Sequence, residues 1–192
     1  MSSVNRGTVR NKNDYYVTPQ WLVHEFLERF MAEYGINPKS CRVLDPSAGG
    51  CEKHQMSYPT VLNGFGFDNV TTLDIRSDSR AEHKGFSFLE IKNIPLNDLI
   101  ITNPPFDCSV EFTKKALENV KGNGHVVMLQ RLNWLGSAKR KPFWDTAPLK
   151  EIYVHHKRAG FNPEQPNAKD SIEYAHFVFQ RGYSGPVKLS II

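Results

Sequence analysis

The hydrophobic pattern changes period several times along the chain, and each change marks an element. Trp21, Leu22, Phe26, Leu27 and Phe30 recur at helical spacing between Pro19 and Gly35, as expected of a helix with one buried stripe. Thr18 is placed to cap that helix, Pro19 suits its first position, and Val17 with Leu22 can staple its start. Short apolar runs then take over. Arg42–Asp45 predicts a first strand, and residues 51–57 read as a loop. Pro59, after Ser57 or Tyr58, opens a short helix that stops at Gly64 or Gly66. Val70–Asp74 predicts a second strand, Phe86–Leu89 a third and Asp98–Thr102 a fourth. Val110–Val120 reads as a helix, and His125–Gln130 as a fifth strand entered through Gly122-Asn123-Gly124. Glu151–Val154 and Glu173–Gln180 are further strands, the last with Ala175, Phe177 and Phe179 on one face.

Strands separated by helices, without hairpin signals, predict a mostly parallel α/β sheet. The uninterrupted Leu99-Ile100-Ile101 run suits a strand covered on both faces. Longer irregular segments precede the last two strands, which points to an antiparallel edge. Residues 1–13 are polar and expected to be flexible, leaving one domain over 14–192. That length suffices for one substantial core: the chain has 192 residues, 40% hydrophobic and 23% charged. The longest apolar runs are too short to span a bilayer, and the N-terminus lacks the apolar core of a secretory signal. The three cysteines, Cys41, Cys51 and Cys108, suggest reduced thiols and a cytoplasmic setting. A net charge of +4 is compatible with a nucleic-acid partner without requiring one.

Candidate chemistry concentrates where predicted strands end. Asn103-Pro104-Pro105-Phe106 closes the fourth strand. Two prolines fix φ and hold the preceding residues extended, forming a stiff polar mouth where open α/β sheets bind ligands. Asp45-Pro46-Ser47-Ala48-Gly49-Gly50 closes the first strand, and its small residues let backbone amides approach a ligand. Asp74 ends the second strand, where a carboxylate can accept ribose hydroxyls.

Together these residues resemble the class I S-adenosylmethionine-dependent methyltransferases, and among them the small phage-type DNA adenine-N6 methyltransferases. Tyr15-Tyr16-Val17-Thr18-Pro19 is similar to their N-terminal cofactor motif, Asp45–Gly50 to their glycine-rich loop, Leu73–Arg76 to their ribose-binding strand end, and Asn103–Phe106 to their catalytic motif. The resemblance implies a Rossmann-like α/β fold with a seven-stranded sheet and an antiparallel C-terminal strand. It implies S-adenosylmethionine held by Thr18, Pro19, Asp45, Ser47 and Gly49, with Asp74, Phe88 and Asn103 completing the site. It assigns catalysis to Asn103, Pro104, Pro105 and Phe106. The Asn103 side-chain oxygen and the Pro104 carbonyl would accept hydrogen bonds from an adenine amine, and Phe106 would stack on the extruded base. Three departures stand out. Cysteine occupies position 51 where the family carries a further glycine. Ser87 rather than an acid precedes Phe88. The interval from Asp45 to Asp74 is long.

Two basic clusters lie beyond the fifth strand. Lys139, Arg140 and Lys141 sit near Trp134, Phe143 and Trp144, and Lys157 and Arg158 follow His155-His156. Basic residues interleaved with aromatics suit phosphate contact and base stacking, although a solvated loop over core aromatics gives the same pattern. Segments 131–149 and 155–172 leave little room for target recognition, so a short or loosely defined DNA target is expected, double- or single-stranded. No local cluster meets the ligand count of a structural zinc site, and none is assigned. Neither the oligomeric state nor the target is legible. Methylation of RNA adenine or protein glutamine, or a silent cofactor-binding nucleic-acid-binding protein, are the alternatives. Phage or bacterial host cytoplasm is the setting the family resemblance implies.

Overall fold

The computed structural model describes residues 16–165 and 169–192. The expected flexible segment 1–13, Tyr15 and positions 166–168 lie outside them. The element order is α1 (Gln20–Tyr34), β1 (Arg42–Asp45), α2 (Ser57–Gly64), β2 (Asn69–Asp74), β3 (His83–Lys84) and β4 (Asn97–Thr102). There follow α3 (Ser109–Glu118), β5 (Val120–Arg131), α4 (Lys141–Trp144), β6 (Leu149–Val154), β7 (Tyr174–Gln180) and β8 (Lys188–Ile191). All eight strands form one sheet in the order β3-β2-β1-β4-β5-β7-β6-β8. Every neighbouring pair is parallel except the two made by β7, which runs antiparallel to β5 and β6.

The apolar runs are continuous because both sheet faces are covered. Leu44, Ile100, Val126, Met128, Phe177 and Phe179 point to the side packed by Phe112 and Ala116 of α3. Val43, Leu99, Ile101, Val127 and Val178 point to the side packed by α1 and α2 through Phe26, Phe30, Val61 and Leu62. Successive strand residues thus feed two opposite cores, as the two-residue period of a strand dictates. α1 ends at Gly35, whose φ of 59° is the left-handed cap expected there.

Several expectations are corrected. α1 has Pro19 at its N-cap with no side-chain cap bond, so Thr18 does not cap it. Leu22 packs on Leu129 and Tyr174, while Val17 faces a cleft. α2 opens at Ser57, before Pro59, which the first turn of a helix tolerates. Phe86–Leu89 is an irregular stretch leading into a turn rather than a strand. The third strand is His83–Lys84, ended by Gly85 at φ 81°, after which the Gly85 and Phe86 amides both donate to the Asp74 carbonyl. The antiparallel strand is central, not an edge, and an eighth strand follows it. β8 was not read because it is short and mostly exposed. In segment 131–149 the aromatics are packing: Trp134 and Phe143 are 5% and 6% exposed, and Trp134 meets Phe177 edge-on at 5.1 Å.

Candidate functional site

The carboxyl ends of β1, β2 and β4 open into one cleft of about 530 Å³, part of it open to solvent. Its lining includes Tyr16, Val17, Thr18, Ser47, Gly49, Gly50, Tyr58, Asp74, Arg76, Asn103 and Pro105. Segments far apart in sequence meet here because parallel strands bring their following loops to the same edge. Asp45 lies fully buried beneath the loop. Its Oδ1 accepts from the Thr102 hydroxyl at 2.6 Å and the Ser47 amide at 3.2 Å, while Oδ2 has no partner. Burial pushes the Asp45 carboxyl up to about 7; the Thr102 and Ser47 bonds oppose that, and the charge of Asp74 adds to it.

The glycine-rich loop is braced from β2. Asp74 accepts from the Gly49 amide at 2.7 Å and from the Arg76 amide at 2.8 Å. A carboxylate has about four acceptor positions, so further donors can still be received. Ser79 donates to the Gly49 carbonyl at 2.6 Å, and the Arg80 guanidinium donates to the Cys51 and Glu52 carbonyls at 2.6 and 2.9 Å. Gly50 has φ 72°, and a Cβ there would stand 2.8 Å from Met56 Cγ and 3.0 Å from Arg80 Cβ. Gly49 is also left-handed, at φ 68°, whereas Cys51 is not among the positive-φ residues. The missing further glycine is therefore not needed for backbone freedom.

On the opposite wall, Asn103 Nδ2 donates to the Thr18 hydroxyl at 3.0 Å. That bond turns the amide so that Oδ1 is the free end, and this oxygen is buried without a partner. A buried acceptor left unpaired costs about 1–3 kcal/mol, so the site is poised to receive a donor. Ser47 and Thr102 hydroxyls lie 2.6 Å apart, and Ser47 donates to the Asn103 carbonyl at 3.1 Å, fixing the chain just before the prolines. Pro104 is buried behind the cleft, and Phe106 begins a short 3-10 turn. Ser109 donates to the Phe106 carbonyl at 2.9 Å and is itself held by Gln130.

Not every expected residue reaches the cleft. Thr18, Ser47, Gly49, Asp74 and Asn103 line it, Asp45 underlies it, and Pro19 starts α1 beside it. Phe88 is outside the lining: it is 1% exposed and packs on Phe112 at 5.2 Å. Of the basic residues, Arg140 caps carbonyls of Trp134 and Gly136, and Lys141 pairs with Asp145. Lys157 pairs with Glu25 at 2.5 Å and Arg158 with Glu173 at 3.4 Å, while Lys139 is exposed. His155 is buried instead of joining a surface cluster. It stands in a column in which the Tyr58 hydroxyl meets His176 Nε2 at 2.8 Å and His176 Nδ1 meets His155 Nε2 at 2.8 Å; His155 Nδ1 faces Glu25 at 3.9 Å. Sequence reasoning missed Tyr58, Arg76, Ser79 and Arg80. For Arg76, adjacency to the Asp74 strand end was the one available signal.

No known family profile matches the sequence, and no curated protein matches it either. Solved structures do. A protein from Listeria monocytogenes, named as a class I S-adenosylmethionine-dependent methyltransferase, superposes with a TM-score of 0.63 at 14% identity, covering 92% of this chain and 65% of that one. The M protein of the type I restriction enzyme EcoKI gives 0.60 at 16% identity, over 88% of this chain and 44% of its own. A Pyrococcus horikoshii protein named as an RNA methyltransferase gives 0.62 at 14% identity, over 88% and 87%. A Lactococcus lactis protein named as a hemolysin gives 0.62 at 12% identity. This chain spans about two thirds of the Listeria protein and under half of the EcoKI subunit. The likeness establishes the fold: a Rossmann-like α/β architecture shared with these structures, here with eight strands.

Proposed function

We propose that this chain transfers a methyl group from S-adenosylmethionine to the exocyclic amine of adenine in DNA. The observation that carries the reading is the buried, unpartnered Asn103 Oδ1, oriented by Thr18 at the rim of a cleft walled by the Asp45–Gly50 loop. S-adenosylmethionine, when bound, supplies an electrophilic methyl group. The residues suited to hold it are the Gly49 and Gly50 backbone, Asp74 and Ser47, with Tyr16 at the rim and Asp45 beneath.

The work left to the chain is positioning. An adenine amine is a weak nucleophile because its lone pair is shared with the ring. Hydrogen bonds from that amine to Asn103 Oδ1 and to the Pro104 carbonyl withdraw its protons from the ring plane and concentrate the pair on nitrogen. The two prolines keep both acceptors at fixed separation. Phe106 offers a ring for the extruded base, a contact worth about 1–3 kcal/mol in comparable sites. The Oδ1 acceptor is in place before substrate arrives, so little reorganisation accompanies the reaction.

The names of two of the structural neighbours, a restriction-modification M protein and an RNA methyltransferase, accord with a nucleic-acid substrate. The deciding experiment is tritiated methyl transfer to duplex DNA, single-stranded DNA, RNA and glutamine-containing peptide. Label in DNA that digests to N6-methyl-2′-deoxyadenosine is expected, with a short or loose sequence preference. Label confined to RNA or peptide, or cofactor binding without transfer, overturns the reading.

A further inference from the structure

Arg131 is the last residue of β5, immediately beside the β4 end that carries Asn103–Phe106. Its guanidinium carbon lies 5.2 Å from the centroid of the Phe106 ring. Its Nε is buried and has no hydrogen-bond partner. Other arginines are held in place: Arg76 by Asp78, Arg80 and Arg140 by backbone carbonyls, Arg158 by Glu173, Arg181 by the Val120 carbonyl. Among the described residues, no ion pair holds Arg131. The neighbouring polar group is the Tyr174 hydroxyl, which donates to Asp170 at 2.6 Å and whose ionisation Arg131 favours against burial, through its charge and a side-chain hydrogen bond. Tyr174 and Phe161 extend the aromatic wall, at 6.5 Å from Phe106 and 4.7 Å from each other's ring respectively.

Arg131 is half-buried, and a guanidinium whose Nε is shut away from water and that no ion pair neutralises leaves a place for an anion. Its planar fork matches a phosphate. We infer that Arg131 receives the phosphodiester next to the base that Phe106 stacks upon, so that one cation–ring pair reads a nucleotide as base plus phosphate. The inference rests on the methyltransferase reading above and narrows its substrate to a nucleic acid: a glutamine side chain brings the amide but no anion. It also assigns substrate binding to a residue at the end of β5, over the Phe106 ring, whereas four of the five residues in the two surface clusters are held by groups of the chain itself.

The test uses the full chain and duplex DNA of randomised sequence, which contains whatever short target exists. Methyl transfer and filter binding are measured from about 50 to 200 mM salt for the wild type, Arg131→Lys and Arg131→Met. Methionine keeps bulk over Phe106 without charge. Arg131→Met is expected to lose tenfold or more in kcat/KM and in DNA affinity at low salt, with cofactor affinity unchanged. Its slope of log affinity against log salt should be shallower by about 0.9, the signature of one phosphate contact. Arg131→Lys should keep the wild-type slope. A methionine variant with the wild-type slope, or one that loses cofactor affinity in equal measure, overturns the inference. Arg131-dependent, salt-sensitive DNA binding without methyl transfer would uphold the contact while sinking the adenine reading. Transfer to peptide alone, with DNA affinity indifferent to Arg131, sinks both.

Discussion

Asn103 owes its orientation to Thr18, 85 positions earlier in the chain. Valine at 18 keeps the shape but removes the acceptor for Nδ2, so the amide can invert and present a donor where an acceptor is needed. Thr18→Val is expected to lower kcat about tenfold to a hundredfold, less than the roughly hundredfold to thousandfold cost of deleting a preorganised contact outright, since Asn103 itself remains; Thr18→Ser should retain most activity in single-turnover assays. The backbone carbonyl that receives Ser57 Oγ is untouched by either change. Asp45 carries a second residue-scale prediction. Its carboxyl is raised to about 7 in the fold, above its ordinary value of 3.8. A raised group supports the fold at low pH, where it is neutral in both states, and loses that support as pH rises through the folded value. Asp45→Asn should therefore raise the melting temperature at pH 8.5, by about 2–4 °C per kcal/mol relieved, and raise it less at pH 5, which lies between the unfolded value of 3.8 and the folded one. The Thr-Pro, Asp-Pro and Asn-Pro-Pro residues were legible in sequence as chemistry. Thr18's grip on Asn103 was not, because nothing local couples residues so distant.

At the scale of elements, legibility followed burial. β1, β2 and β4 announced themselves as apolar runs because the sheet is covered on both faces, and their ends marked the cleft. Phe86–Leu89 misled for the opposite reason. Phe86 is 56% exposed and Phe88 1% exposed, an alternation that mimics a strand. Yet the left-handed Gly85 and the Asp74 carbonyl turn the chain away from the sheet, and Phe88 reaches the core from a turn. The loop after β1 was legible as glycine-rich, while its bracing by Ser79 and Arg80 was not, since those residues lie beyond β2. Gly50→Ala tests that brace. It combines φ 72° with a 2.8 Å approach to Met56, and the strained backbone alone costs about 1–3 kcal/mol. A lower melting temperature and weaker cofactor binding by calorimetry are expected. Unchanged affinity would show that the loop's shape is not what the cofactor reads.

The whole molecule stores three neutral histidines in its core. Burial lowers His125 and His155 to about 4 and holds His176 well below the ordinary imidazole value, with Lys150 also depressing His125 and the His155 ring adding to the effect on His176. A depressed folded value contributes stability above the unfolded value near 6.5 and loses it as pH falls toward the folded one. Melting scans are expected to show a progressive drop between pH 6.5 and 4, opposed in part by Asp45, which is relieved over the same range. A flat profile would mean that the histidines take up protons without cost. The antiparallel β7 that carries His176 also shows why the far half of the sheet was harder to read than the near half. Its alternation was legible, but both of its faces are buried, and its place between β5 and β6 depends on pairings that local sequence does not encode.

The column from Tyr58 to Glu25 has a polarity. Each ring is neutral and bears one proton, so its tautomers must all agree. The carboxylate at the outer end repels a bare imidazole nitrogen and favours N–H at His155 Nδ1, which obliges His176 Nδ1–H to donate to His155 and the phenol to donate inward. Glutamine at position 25 can offer an N–H in place of a lone pair, and Glu25→Gln should then flip both imidazoles together and hand the Tyr58 proton back toward the cleft. Nitrogen-15 shifts would record a simultaneous exchange of protonated nitrogens in both rings; a change at His155 alone would mean that the column does not relay its outermost charge.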